Sequence, residues 1–296
     1  NVHLDRLSSI NREAVALQEL LHRPHHDAEV QRALAQIAQL TRPKGIWLHG
    51  DGAQTFGWLR LDRPGKHNAL DLAMWQQIAD LIDQACAQPA VRVLLLASAT
   101  PGLFCAGGDI GEMVAMRHDP RWVDAHQQAQ RAAQIALAQC PLPVIAIIDG
   151  AAMGGGCGLA LACDVRIASP RARFAVTPAK LGLAYPRHDT RLLVDAVGAA
   201  QARRLLFTAM TIDAAEALRI GLVDECTDGD LEAHGRALAV QIAGNSAFSV
   251  GVCKHDVQHI LEGAHDDDPD SMARFRRAFE REEFAMRSAA FVERAR

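Results

Sequence analysis

The spacing of apolar residues changes character along the chain. Between residues 9 and 41, Ile10, Val15, Leu17, Leu20 and Leu21 recur near helical spacing, Pro24 breaks the run, and Val30, Leu34, Ile37 and Leu40 resume it. That pattern predicts one or two helices, followed by a connector at Arg42-Pro43-Lys44-Gly45. From residue 46 short apolar runs alternate with amphipathic ones. Trp47 to His49 and Phe56 to Leu61 read as a hairpin around Asp51-Gly52. Asp71 is placed to cap a helix reaching about Ala87, with Trp75, Ile78 and Ile82 on one face. Residues 91–97 (VRVLLLA) and 144–148 (VIAII) are continuous apolar runs, expected of parallel strands buried on both faces. The second run leads into a glycine-rich turn and a helix through Leu161. Residues 165–168 and 174–176 read as later short strands. Helices dominate after Leu192, and the acidic run at 266–270 marks a solvated break before a last helix.

This order predicts an α/β core with a helical C-terminal part. The expected division is an N-terminal helical extension (1–45), a core (46–200) and a helical C-terminal region (201–296). The extension has no chemical signature and reads as a packing or assembly appendage. The chain begins at Asn1, as a trimmed or excised portion of something longer would.

Composition narrows the function classes. With 49% hydrophobic and 22% charged residues the chain is ordinary soluble globular protein. A net charge of -4 provides no basic footprint for nucleic acid, so any anionic ligand must be held locally by a few cations or backbone amides. No apolar run reaches membrane-spanning length and no secretory leader opens the chain, which makes cytoplasmic the default. The cysteines (Cys86, Cys105, Cys140, Cys157, Cys163, Cys226 and Cys253) lack CxxC spacing and read as small buried residues of a reducing compartment. His22, His25 and His26 lack companion ligands, and no metal is expected.

Two segments share one design of strand, small-residue turn and helix start: residues 104–109 (FCAGGD) and 150–158 (GAAMGGGCG). At such turns backbone amides go unpaired and no side chain blocks an approaching ligand. Each alone is compatible with a mere tight turn. Facing each other, they can set two N–H donors on one oxygen, the geometry of an oxyanion hole. The GxGxxG spacing of a dinucleotide site is not matched.

Further landmarks fall in order: Arg63-Pro64 with Asn68-Ala69-Leu70, then 104–110 (FCAGGDI), 143–168 (PVIAIIDGAAMGGGCGLALACDVRIA) and 206–225 (LFTAMTIDAAEALRIGLVDE). Over residues 54 to about 260 the chain resembles the crotonase (enoyl-CoA hydratase/isomerase) superfamily. The resemblance implies a spiral of ββα units, assembly into a homotrimer or hexamer with residues 201–296 as the trimerisation region, and an acyl-CoA or acyl-carrier-protein substrate. Coenzyme A or phosphopantetheine would be carried by the substrate, with no prosthetic group. It further implies backbone donors at Ala106 and Gly155 on the thioester oxygen, with Lys66, Ala69 and Lys254 toward the coenzyme A end.

The chain departs from the hydratase pattern at both acid–base positions. The two glutamates of hydratases correspond to Gly158 and Pro178, and neither residue moves a proton. Ordinary hydration is therefore expected to be very weak. The segment 177–185 (TPAKLGLAY) instead resembles methylmalonyl-CoA decarboxylase-like members, in which a tyrosine holds the departing carboxylate. Tyr185 is the only tyrosine of the chain. The first expectation is thus a lyase that decarboxylates a malonyl- or glutaconyl-type thioester, with Tyr185 orienting the carboxylate and His188 donating the proton. Arg187 is a candidate partner for a second carboxylate. The alternatives are an enoyl-CoA isomerase, which needs a carboxylate from Asp109, Glu112 or Asp189, a thioester hydrolase, and a non-catalytic acyl-thioester-binding subunit.

Overall fold

The computed structural model describes residues 45–50 and 55–294. The helices expected between 9 and 41 and the turn at Asp51-Gly52 lie outside the described residues. The chain divides into Asn1–Lys44 and a compact unit Gly45–Arg296, and the second holds every described element.

That unit opens with strands β1 (Gly45–Gly50) and β2 (Phe56–Asp62), antiparallel in a register that pairs Gly45 with Asp62 and Gly50 with Gly57. A single 3-10 turn at Pro64–Lys66 leads to helix α1 (Leu72–Cys86). The Asp71 side chain caps α1 by accepting from the Met74 amide at 2.9 Å. Strand β3 (Val93–Ser98), helices α2 (Ile110–Met116) and α3 (Pro120–Ala138), and strands β4 (Val144–Ile148) and β5 (Ala151–Met153) follow. Next come α4 (Gly155–Leu161), β6 (Val165–Ala168), β7 (Arg173–Ala175), the short α5 (Pro178–Leu181) and the long α6 (Arg187–Thr208). The chain closes with β8 (Ile212–Asp213), α7 (Ala214–Arg219), β9 (Glu225–Cys226) and helices α8 (Leu231–Ala243), α9 (Ala247–Leu261), α10 (Pro269–Glu280) and α11 (Glu282–Arg294).

Six strands form one sheet in the order β1-β2-β3-β4-β6-β9, parallel from β2 onward, and β5-β7-β8 form a second small sheet. The continuous apolar runs of β3 and β4 are explained by burial on both sides. Leu94, Leu96, Val144, Ala146 and Ile148 belong to the core that also contains α1, while Val93, Leu95, Ile145 and Ile147 meet Leu231 and Ala239 of α8 on the opposite face. Trp75, Ile78 and Ile82 are fully buried on the inward face of α1, as their spacing predicts. Position 200, expected to end the core, falls inside α6. The mixed α/β class is the one expected. No described helix is long and apolar enough to cross a membrane.

Candidate active site

Three backbone segments meet beyond the C-terminal ends of β2, β3 and β4. The first is the turn after β2, where His67 and Asn68 both adopt left-handed φ values of 51° and 53°. Such backbone is unfavourable for non-glycine residues and needs compensation. Asn68 supplies it: fully buried, its Oδ1 accepts from the Arg63 amide at 2.7 Å, while Nδ2 donates to Ser98 Oγ and to the Phe104 carbonyl, each at 2.8 Å. The second segment, 104–109, is thereby clamped between the Asn68 turn and β5. The Cys105 amide donates to Ala151 O, and Met153 N donates back to Cys105 O.

The two expected oxyanion donors behave differently. The Ala106 amide is spent on the His67 carbonyl at 3.0 Å, so the sequence expectation for Ala106 needs correction. Two residues on, Leu70 N donates to Gly107 O and Asp109 N donates to Leu70 O. In this parallel bridge between Leu70 and Gly108, the groups of Gly108 itself must face the other way. They face the third segment. A methyl placed on Gly155 would lie 3.5 Å from the Gly108 nitrogen, and one on Gly107 would lie 3.2 Å from the Gly155 nitrogen. Gly155 is the first residue of α4, so its N–H has no acceptor within the helix. The facing pair is therefore Gly108 and Gly155. Gly107 must be glycine for this approach, because its φ is 97° and a methyl there would meet the Met153 carbonyl oxygen at 2.6 Å. The fully buried Trp75 ring closes one side, 3.1 Å from the methyl position on Gly155.

One turn into α4 lies Gly158, and what surrounds it was only partly legible in the sequence. A methyl on Gly158 would meet Gln134 Nε2 at 2.7 Å, Asp189 Oδ1 at 2.9 Å and the Tyr185 hydroxyl at 3.3 Å. The space beside Gly158 is thus filled from α3 and the start of α6. Asp189 is 1% exposed, and its Oδ1 accepts from Gln130 at 2.8 Å and from Gln134 at 2.7 Å. Burial pushes this carboxyl above the ordinary aspartate range, although both amide donors and His188 pull the other way. The Tyr185 hydroxyl is buried without a partner, and burial followed by the nearby Asp189 holds its pKa well above the ordinary tyrosine value.

The other carboxylates are committed elsewhere. Asp109 caps α2 through the Gly111 and Glu112 amides and pairs with Arg63 at 2.9 Å. Burial raises its pKa, but the Glu112 amide, Arg63 and Lys66 together hold it below the usual value. Glu112 accepts from the Leu72 amide at 3.0 Å. Of the three acids weighed for proton transfer, only Asp189 faces the Gly158 position.

Lys66 keeps an exposed ammonium 3.8 Å from Asp109, and the Ala69 carbonyl accepts from Arg63 at 2.8 Å. Lys254 is turned inward instead, where it pairs with Asp164 at 2.7 Å and donates to the Leu142 carbonyl at 3.0 Å. It also lines the same cleft as His188. His188 acts electrostatically on Asp189, and no hydrogen bond links it to Tyr185 or Asp189. It lines a cleft of about 620 Å³ together with Arg131 and Arg191, and burial lowers its pKa. The Cys157 thiol, beside Gly158, is pushed up to about 12 by burial and is no nucleophile. Among the described residues no group of His, Cys, Asp or Glu is arranged to hold a metal ion.

The residues that sequence reasoning missed are Gly108, Gln130 and Gln134. Gln130 and Gln134 lie one turn apart on α3, a polar stripe beside the apolar Ala129, Ala133 and Leu137. A polar stripe at helical spacing next to a buried one was the available signal.

Comparison with known proteins agrees with this geometry. The sequence profile described as enoyl-CoA hydratase/isomerase matches residues 51–296. A probable enoyl-CoA hydratase of Mycobacterium leprae is 35% identical over 213 residues, covering 72% of this chain and 81% of that protein. The mitochondrial methylglutaconyl-CoA hydratase of Rattus norvegicus is 33% identical over 59% of this chain and 55% of its own length. Among solved structures, a putative enoyl-CoA hydratase/isomerase family protein from Hyphomonas neptunium superposes with a TM-score of 0.80 at 36% identity, covering 84% of this chain and 95% of that one. A fold of mostly parallel strands with facing glycine turns and a matching profile over most of its length together show that the chain belongs to the enoyl-CoA hydratase/isomerase family.

Proposed function

We propose that the protein is an acyl-CoA enzyme that shifts a carbon–carbon double bond by carrying one proton on Asp189. The observation that carries this reading is the carboxyl of Asp189, buried and held by two glutamines at the Gly158 position. Ionised Asp189 takes a proton from C2 of a 3-enoyl thioester. The electron pair moves into a dienolate whose oxygen accepts from the Gly108 and Gly155 amides, an arrangement worth several kcal/mol in a dry site (about 3–4 per donor). The same carboxyl then returns the proton to C4 and leaves the 2-enoyl thioester. A pKa raised by burial brings Asp189 closer to neutrality, where one group serves as base and then as acid most efficiently. Lys66, with its exposed ammonium beside the Asn68 turn, is the candidate contact for coenzyme A phosphates.

Carbon-to-carbon transfer needs one proton carrier, whereas ordinary hydration uses two, and Gly158 and Pro178 provide neither of the usual pair. The relatives quoted above carry hydratase names, so the assay must include that reaction. Conversion of 3-hexenoyl-CoA to 2-hexenoyl-CoA is expected to exceed hydration of crotonyl-CoA. Asp189→Asn is expected to lower turnover by about 10²–10⁴-fold while binding persists. Unchanged turnover in that variant sinks the reading.

A second reading, decarboxylation of a malonyl- or glutaconyl-type thioester, is favoured by the unpartnered Tyr185 hydroxyl. It requires Asp189 in the protonated form, since an ionised neighbour repels the departing carboxylate. Release of CO₂ from methylmalonyl-CoA, abolished by Tyr185→Phe, would establish it in place of the first.

A further inference from the structure

Two thiols of the chain lie against each other. Cys86 is the last residue of α1 and half-buried, and Cys140 follows the C-terminal cap of α3 and is buried. They are 54 residues apart in sequence, yet packing of α1 against α3 sets their Sγ atoms 3.7 Å apart, in hydrogen-bonding contact. The remaining thiols are placed differently. Cys105 donates to the Asn68 carbonyl at 3.2 Å and Cys163 to the Leu159 carbonyl at 3.5 Å, both in the core. Cys157 is buried beside Gly158, and Cys226 and Cys253 are exposed.

A disulfide holds its sulfurs about 2.05 Å apart, so a pair now at 3.7 Å has about 1.7 Å to close. Both residues stand at helix ends, where fewer backbone hydrogen bonds hold the chain, and a modest rotation of each side chain covers that distance. Burial pushes the Cys140 thiol up to about 12, although the Leu142 amide and the Lys254 ammonium favour its thiolate. A thiol kept protonated is a poor first nucleophile, so the more accessible Cys86 meets an oxidant first.

We propose that Cys86 and Cys140 form a reversible disulfide, with a peroxide as the oxidant. The Cys86 thiolate attacks one peroxide oxygen and the O–O bond breaks. Cys86 becomes a sulfenic acid, and the departing hydroxide takes up the thiol proton as water. Cys140 then attacks the Cys86 sulfur, the S–O bond breaks, and the Cys140 proton leaves with that hydroxide as a second water. Two thiols are oxidised while one hydrogen peroxide is reduced to two waters, and a dithiol reverses the change. The bond ties α1, which carries Trp75 against Gly155, to α3, which carries the glutamines on Asp189. Closing so long a loop restricts the unfolded chain, so the oxidised form is the more stable one.

The test treats the reduced full chain with hydrogen peroxide, caps the remaining thiols with iodoacetamide and reads digested peptides by mass spectrometry. A peptide pair joined through Cys86 and Cys140, and separated again by dithiothreitol, is expected. The melting midpoint is expected to rise by at least about 4 °C on oxidation. That rise is expected to vanish in Cys86→Ser and in Cys140→Ala. Melts before oxidation identify a variant that has lost its fold, and the other then carries the comparison. Both thiols still free at a peroxide dose that oxidises Cys226 or Cys253 overturns the proposal. Cys86 recovered as a sulfinic acid, or joined to any other cysteine, overturns it as well. A linked pair with an unchanged midpoint supports the modification and overturns its stabilising role.

Discussion

Keeping a carboxyl at position 189 dry has a cost that depends on pH. Burial raises its pKa in the folded protein from the ordinary 3.8, so above that pH the folded state retains a proton that the unfolded chain has released. Stability attributable to this group is therefore highest below about pH 4 and declines as pH rises through its folded-state pKa. Asp189→Asn keeps an acceptor for Gln130 and Gln134 and removes the ionisation. Its melting temperature relative to the parent protein is expected to increase between pH 4 and pH 7, whereas a constant difference would mean that Asp189 is not desolvated. The adjacent Gly158 shows why a glutamate cannot simply be placed there. Any Cβ there meets Gln134 and Asp189 below 3.0 Å, so Gly158→Glu is expected to destabilise by about 1–3 kcal/mol and to confer no hydration of crotonyl-CoA. Urea denaturation and a crotonyl-CoA assay check the two halves.

Between elements, the site depends on ties that lie outside it. Asn68 links the turn after β2 to the end of β3 and to the 104–109 segment, and that segment pairs with β5, so the Gly108 amide is aimed by contacts from three directions. Lys254 does comparable work on the far side. From α9 it donates to the Leu137 carbonyl in the last turn of α3, to the Leu142 carbonyl just before β4 and to the Asp164 carboxylate, which also accepts from the first amide of β4. Lys254→Met is expected to cost about 2 kcal/mol in urea denaturation, less than a fully buried pair because Asp164 is 30% exposed. Its effect on the affinity for coenzyme A is expected to be small. A large loss of affinity at unchanged stability would return Lys254 to the ligand site.

At the scale of the whole molecule, the C-terminal helices leave apolar side chains uncovered in the single chain. Phe275 is 62% exposed, Phe279 58% and Phe291 75%, and Phe275 and Phe279 pack edge to face at 5.3 Å. Exposed aromatic clusters of this kind mark association surfaces. A homotrimer or hexamer, as the family resemblance implies, is expected from light scattering, with a mass three or six times 32.0 kDa. The double variant Phe275→Glu/Phe279→Glu is expected to lower that mass. A monomeric parent protein would remove the assembly role expected of residues 201–296.

What the sequence determined by itself was the part governed by local patterning. The double-sided apolar runs of β3 and β4 could only be central parallel strands, the Asp71 cap and the spacing of Trp75, Ile78 and Ile82 defined α1, and the two glycine turns announced backbone donors. That Gly158 and Pro178 carry no side-chain acid or base was equally legible, whatever the fold. Tertiary structure alone decided which amides face each other. Bridge alternation turns Ala106 inward and Gly108 outward, and no local rule sets that phase. It also decided that Asp189, not Asp109 or Glu112, is the carboxyl in the site, because those two are satisfied by a helix cap and a backbone amide close to them in space. Most of all, it brought α3 against the start of α6, where glutamines 55 and 59 residues distant from Asp189 hold its carboxylate. Contacts across such separations arise from packing of whole elements, and the chain records them only as a polar stripe whose partner lies elsewhere.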